Sequence, residues 1–122
     1  MLQKNLALNP NLTVHTRKLH WTNTCNDAVD FDIIFGCDIT YDVNNFDDIF
    51  ATIKKCLLPS GVLYICHDND SCPLSKRALQ GLKDQAVTLE LNMEEVQYRD
   101  HVGESFYSDS VKIWRFQYEK KK

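Results

Sequence analysis

The hydrophobic pattern changes period several times along the chain. Over residues 31–35, FDIIF, β-branched and aromatic residues run almost without a break. That composition over so few positions predicts a buried strand rather than a helix. Residues 62–66, VLYIC, form a second continuous apolar run and read the same way. Between the two runs, Phe46, Ile49, Phe50, Ile53 and Leu57 recur at helical spacing. Asn44 or Asn45 is placed to cap this helix, Asp47 and Asp48 fall in its first turn, and Lys54 and Lys55 sit near its end. All of these suit the helix dipole. Pro59-Ser60-Gly61 is expected to end the segment in a turn. A second helix starts at Ser71 or Ser75 and carries Leu74, Ala78, Leu79 and Leu82 on one face. Gly81 weakens it by about 1 kcal/mol relative to alanine.

The ends of the chain are less regular. Leu2, Leu6 and Leu8 look like the close of a helix stopped by Asn9-Pro10. Leu12, Val14 and Thr16 alternate with Thr13, His15 and Arg17, which predicts a strand, and residues 22–30 read as a polar loop. Leu89, Leu91 and Met93 alternate with polar partners and predict another strand; residues 96–110 are a long polar connection; residues 111–118, VKIWRFQY, are a final strand. The predicted order is strand, strand, helix, strand, helix, strand, strand. Two buried strands, each followed by a helix, predict parallel neighbours with right-handed crossovers. The closing pair has no helix between its strands and is predicted antiparallel. The fold class is α/β with a mixed sheet. A length of 122 residues predicts one domain spanning residues 1–122.

Composition narrows the function. The net charge is −3, and the basic cluster at residues 120–122 stands at the very end. A nucleic-acid partner is not expected, because it needs a basic face. No apolar run approaches the ~20 residues of a membrane span. The first ten residues lack the apolar core of a signal peptide. Five cysteines, an odd number without a CxxC pair, read as reduced thiols of an intracellular protein, cytoplasmic with the nucleus as an alternative. Cys66, His67 and Cys72 lack a fourth ligand at sensible spacing, so no metal site is expected.

The chemistry clusters after the first apolar run. Gly36 removes the side chain where that strand should end, and Asp38, Thr40, Tyr41 and Asp42 follow at once. In an open parallel sheet, ligands bind just outside the carboxyl ends of the strands. A carboxylate and a phenol are therefore well placed there. The alternative is that Asp38 and Asp42 only begin a turn or cap the next helix. His67, Asp68 and Asp70 lie past the next strand and either rim the same entrance or cap a loop. His15, His20 and His101 have no partner that would give them a role.

Asn5, Asn9, Val14, Leu19, Trp21, Asp32, Asp38 and Tyr41, followed by a helix and the segment LLPSG, carry a resemblance. Together they resemble the second half of a class I S-adenosylmethionine-dependent methyltransferase. The nearest branch is the seven-strand protein methyltransferases acting mainly on protein lysines. Residues 38–41, DITY, correspond to that family's DxxY motif after its fourth strand. The resemblance implies a partial Rossmann-like sheet that lacks the first two strands of the family order 3-2-1-4-5-7-6. It implies S-adenosylmethionine as cofactor, with Trp21 beside the adenine and Cys37 and Asp38 near the methionine end. It also implies a protein substrate, with Asp38 and Tyr41 holding and desolvating a lysine amine. Related branches methylate histidine or arginine, so the acceptor stays open. Gly36, Gly61, Gly81 and Gly103 stand in no GxGxxG-like setting, so cofactor binding by this segment alone is expected to be weak or absent. The expectation is then a fragment, or a second chain that completes the sheet. The alternative is a non-catalytic remnant that serves as a protein-interaction module.

Overall fold

The computed structural model describes residues 2–16, 21, 30–69 and 74–120. Helix α1 spans Leu2–Ala7 and buries none of its residues. Strand β1 spans Phe31–Cys37, a single 3-10 turn covers Val43–Asn45, and α2 spans Phe46–Cys56. Then come β2 (Leu57–Asp68), α3 (Ser75–Thr88), β3 (Leu91–Glu95), α4 (Arg99–Val102) and β4 (Val111–Tyr118). The strands form one sheet in the order β1-β2-β4-β3. β1 and β2 are parallel, joined through α2, while β4 runs antiparallel to both β2 and β3. The expected parallel pair and the expected antiparallel closing pair are therefore both present.

The helices form because their apolar residues share one face. α2 buries Phe46, Ile49, Phe50 and Ile53, and α3 buries Ala78, Leu82 and Ala86, in both cases at spacings of three and four. Both faces pack on the side of the sheet that presents Leu63, Ile65, Leu91 and Phe116. Phe116 meets Phe50 edge-on at 6.1 Å between ring centroids, and Phe50 is tilted against Phe46 at 6.3 Å. The weak point at Gly81 has a packing reason. A Cβ there would stand 2.9 Å from two carbons of the Phe46 ring, so glycine lets α3 approach the start of α2. Asp47 also accepts a hydrogen bond from Gln85 Nε2 at 2.6 Å, tying the two helices at their exposed side.

Strand alternation leaves a second face. Phe31, Ile33 and Phe35 point away from the helices and remain 47%, 52% and 73% exposed. Phe35 stacks on Tyr64, its partner in the parallel register, at 5.6 Å. β1 is also the end of the sheet, so among the described residues nothing pairs with its outer edge.

Four expectations need correction. Residues 12–16 are not a strand: they are exposed and lie in no ladder. Alternation alone cannot make a strand that has no neighbour to bond with. Pro59-Ser60-Gly61 is not a turn but lies inside β2, which begins at Leu57. The extra residues are absorbed as an irregularity in the register, Phe31 facing Leu57 and Ile33 already facing Val62. Third, His67 and Asp68 belong to β2 rather than to the stretch beyond it. Leu89 serves as the C-cap of α3, so β3 starts two residues later than its alternation suggests. Arg17, Leu19, His20 and Asp70, and the loop at 22–29, lie outside the described residues.

Candidate active site

Because β1 and β2 are parallel, their carboxyl ends share one lip of the sheet, Cys37 standing opposite Cys66. The chain leaves β1 through Asp38 in a left-handed conformation, φ 60°. L residues pay for that region, although aspartate tolerates it better than most. The turn then folds back over the strand end. Ile39 lies across Gly36, where a Cβ would come within 2.5 Å of its Cδ1, so the glycine is required by the return of the loop. Thr40 turns inward and is buried, and Tyr41 turns outward and is 75% exposed.

Asp38, Thr40 and Tyr41 line a cleft of about 60 Å³ together with Cys66, His67 and Asp68 of β2 and Leu74, Ser75 and Ala78 at the start of α3. Two wider troughs, of about 830 and 1270 Å³, open at the other end of the sheet around Pro59 and Tyr118–Lys120. We place the site at the smaller cleft, since it lies at the strand carboxyl ends and collects carboxylates, a phenol and an imidazole. The connection between β3 and β4 is stitched to the same lip. Asn69 N–H donates to the Ser110 carbonyl at 2.8 Å, and the Tyr98 hydroxyl lies 3.0 Å from the Ser108 carbonyl and 2.8 Å from that of Val111.

The two aspartates of the loop divide the readings given to them. Asp42 is a cap: its carboxylate accepts from the Asn44 N–H at 2.9 Å and from Asn45 Nδ2 at 3.3 Å. Neither Asn44 nor Asn45 caps α2 through its side chain. Asp38 makes no such bond among the described residues; it stands exposed at the mouth of the cleft. Burial pushes the Cys66 thiol above its ordinary value, helped by Cys37, which also hydrogen-bonds it, and by the carboxylates of Asp38 and Asp68. Cys66 is therefore a neutral thiol near pH 7 and no ready nucleophile.

Of the four residues singled out from sequence, Asp38 and Tyr41 are brought together at this cleft. Cys37 ends β1, is exposed, and by alternation lies on the face of Phe35 rather than among the cleft walls. Trp21 is half-buried against the helix-side core and does not line the cleft. One feature escaped the sequence: the buried His67 Nδ1 lies 2.7 Å from Thr40 Oγ1. The only sequence signal was a histidine inside an otherwise apolar strand.

The arrangement has known counterparts. The fold is similar to that of the fibrillarin pre-rRNA processing protein of Methanococcus jannaschii, with a TM-score of 0.51 and 14% identity, over 76% of this chain and 39% of that one. At that identity the likeness concerns the fold alone, a class I methyltransferase sheet, and the chain spans well under half the length of that neighbour. No curated protein matches the chain. A family profile described as lysine methyltransferase covers residues 1–100. That span holds β1, the DxxY loop and the whole cleft, and by it the chain belongs to the lysine methyltransferase family.

Proposed function

We propose that this chain is the acceptor-side part of an S-adenosylmethionine-dependent protein methyltransferase, with a lysine amine as the group that enters the cleft. The observation that carries the proposal is the convergence of Asp38 and Tyr41 on one small cleft at the shared lip of β1 and β2. A volume of about 60 Å³ suits the end of a flexible side chain rather than a ring system. A lysine amine titrates near ~10.4 and must lose a proton before it can attack. Asp38 accepts a hydrogen bond from the amine and takes its proton through water, while Tyr41 shields and orients it.

The family implies S-adenosylmethionine, which supplies the methyl group as an electrophile when bound. The residues present do not make a site for it on their own. Gly36 lies inside β1, Gly61 inside β2, Gly81 inside α3 and Gly103 follows α4. None opens a strand-to-helix turn whose amides could approach a cofactor closely. Trp21, Cys37 and Asp38 are assigned to the cofactor side of the complete fold, and a second polypeptide segment pairing with the open edge of β1 is assigned the rest.

The test is label transfer from tritiated S-adenosylmethionine by the protein purified natively from its own cells. Native lysate proteins should accept label, and the same proteins with blocked lysines should not. Asp38→Ala should depress transfer by about a hundredfold or more. Label on the blocked proteins would move the acceptor to another residue type, and transfer by the variant at an undiminished rate would remove Asp38 from the chemistry. A second reading, a non-catalytic interaction module, is favoured by the apolar face of Phe31, Ile33 and Phe35. It is the conclusion if native protein transfers no label.

A further inference from the structure

We infer that His67 is a positioning residue that hooks the 38–41 loop onto the core, so that Asp38 and Tyr41 face the cleft as a pre-set pair. The inference rests on the acceptor-site reading for its purpose, but not for its geometry. His67 is 3% exposed at the end of β2, and Thr40 is 7% exposed in the loop after β1. Thr40 Oγ1 and His67 Nδ1 are 2.7 Å apart across 27 positions of sequence. The other ring nitrogen, Nε2, lies 3.2 Å from the backbone carbonyl of Ser75, the first residue of α3. A carbonyl can only accept, so Nε2 carries the proton. In the Nε2-protonated tautomer Nδ1 holds only a lone pair, so the Thr40 hydroxyl donates to it. One side chain thus ties the loop, the end of β2 and the start of α3 in a single tautomer.

A buried polar pair is a poor way to gain stability. Each partner is desolvated, and two apolar residues of the same shape would serve nearly as well. What the pair adds is direction. A hydrogen bond fixes where Thr40 points, and Thr40 lies between Asp38 and Tyr41 in the loop that lines the cleft. The rest of the loop follows the same division. Ile39 is held over Gly36, and Asp42 is held by Asn44 and Asn45. Asp38 and Tyr41 are the members left to the solvent side, and Asp38 is kept in a left-handed conformation that a free loop would leave.

The experiment uses the full chain and reads amide hydrogen exchange at residues 39–42 against core amides of α2 and β4. Thr40→Val and His67→Leu should each speed loop exchange by about tenfold, the equivalent of one lost hydrogen bond, while core amides stay protected. Thr40→Ser and His67→Asn, which keep a donor and an acceptor, should retain slow exchange. The double variant Thr40→Val/His67→Leu should recover part of the thermal stability, since neither position 40 nor position 67 keeps a polar group without its partner, yet leave the loop fast. Nitrogen-15 spectra should show His67 protonated on Nε2. The inference is overturned by an Nδ1-protonated ring, by unchanged loop exchange in His67→Leu, or by core and loop amides losing protection in parallel in Thr40→Val. Exchange does not depend on catalysis. Loop effects without any methyl transfer would remove the transferase reading and leave the positioning role standing. Transfer that persists at full rate in a loosened loop would do the reverse.

Discussion

At the scale of single residues, Asp38 combines the side chain proposed as proton acceptor with an unfavourable backbone. Its φ of 60° costs about 1 kcal/mol or more for an ordinary L residue and nothing for glycine. Asp38→Gly is therefore expected to keep or raise the melting temperature while methyl transfer is lost. Asp38→Val should lower stability by about 1–2 kcal/mol, since a β-branched residue fits that region worst. Both are read by thermal denaturation beside an activity assay. In the assembled enzyme, Asp38→Ala should depress turnover by about a hundredfold or more, the range of a lost proton acceptor, with little change in cofactor affinity. Equal losses in both would assign Asp38 to the cofactor instead. Cys66 gives a pH prediction. Its folded thiol titrates above the ordinary 9.0, so the unfolded chain releases its proton first as pH rises. Its contribution to stability is full below pH 9.0 and declines above it, through the folded value. Denaturant titrations at rising pH should show a steeper alkaline loss in the parent than in Cys66→Ala. Tyr118, raised by burial, leaves part of the slope in both.

At the scale of elements, Gly81 sets helix propensity against packing. Propensity alone predicts that Gly81→Ala stabilises α3 by about 1 kcal/mol. The 2.9 Å approach to the Phe46 ring reverses the sign, and a loss of about 1–2 kcal/mol is expected from urea denaturation. A gain would mean that the ring yields freely. The same contrast explains what the sequence revealed and what it hid. α2 was legible because Phe46, Ile49, Phe50 and Ile53 announce a buried face, and because Asp47, Asp48, Lys54 and Lys55 mark its ends. β1 and the core of β2 were legible from continuous apolar runs, and β4 from the stretch VKIWRFQY. The start of β2 was not: proline, serine and glycine signal a turn locally, and only pairing with β1 draws them into a strand. Residues 12–16 failed in the opposite sense, having the alternation but no partner strand among the described residues. In the site, Asp38 and Tyr41 could be read from a motif. The Thr40–His67 bond could not, because no local rule joins positions 27 apart.

At the scale of the molecule, the sheet is lopsided. Among the described residues, one face is covered by α2 and α3, the other shows apolar residues of β1, and the outer edge of β1 pairs with no strand. Such an edge is a template for pairing with another strand. The chain alone is expected to self-associate in sedimentation experiments at micromolar concentration. Ile33→Lys, which places a charge on the open face, should shift it toward monomer. Titration calorimetry should find no micromolar binding of S-adenosylmethionine to the chain alone; tight binding would show that the glycine turn is dispensable.

The stacked Phe35 and Tyr64 lie on that uncovered face. If a second segment completes the sheet, as proposed, a copy without it displays these rings, and chaperones and proteases act on just such surfaces. On that proposal, the amount of this protein in a cell should follow the supply of the completing segment more than its own synthesis. Orphan copies should turn over quickly, and overproduction without the complement should yield inclusion bodies rather than usable enzyme.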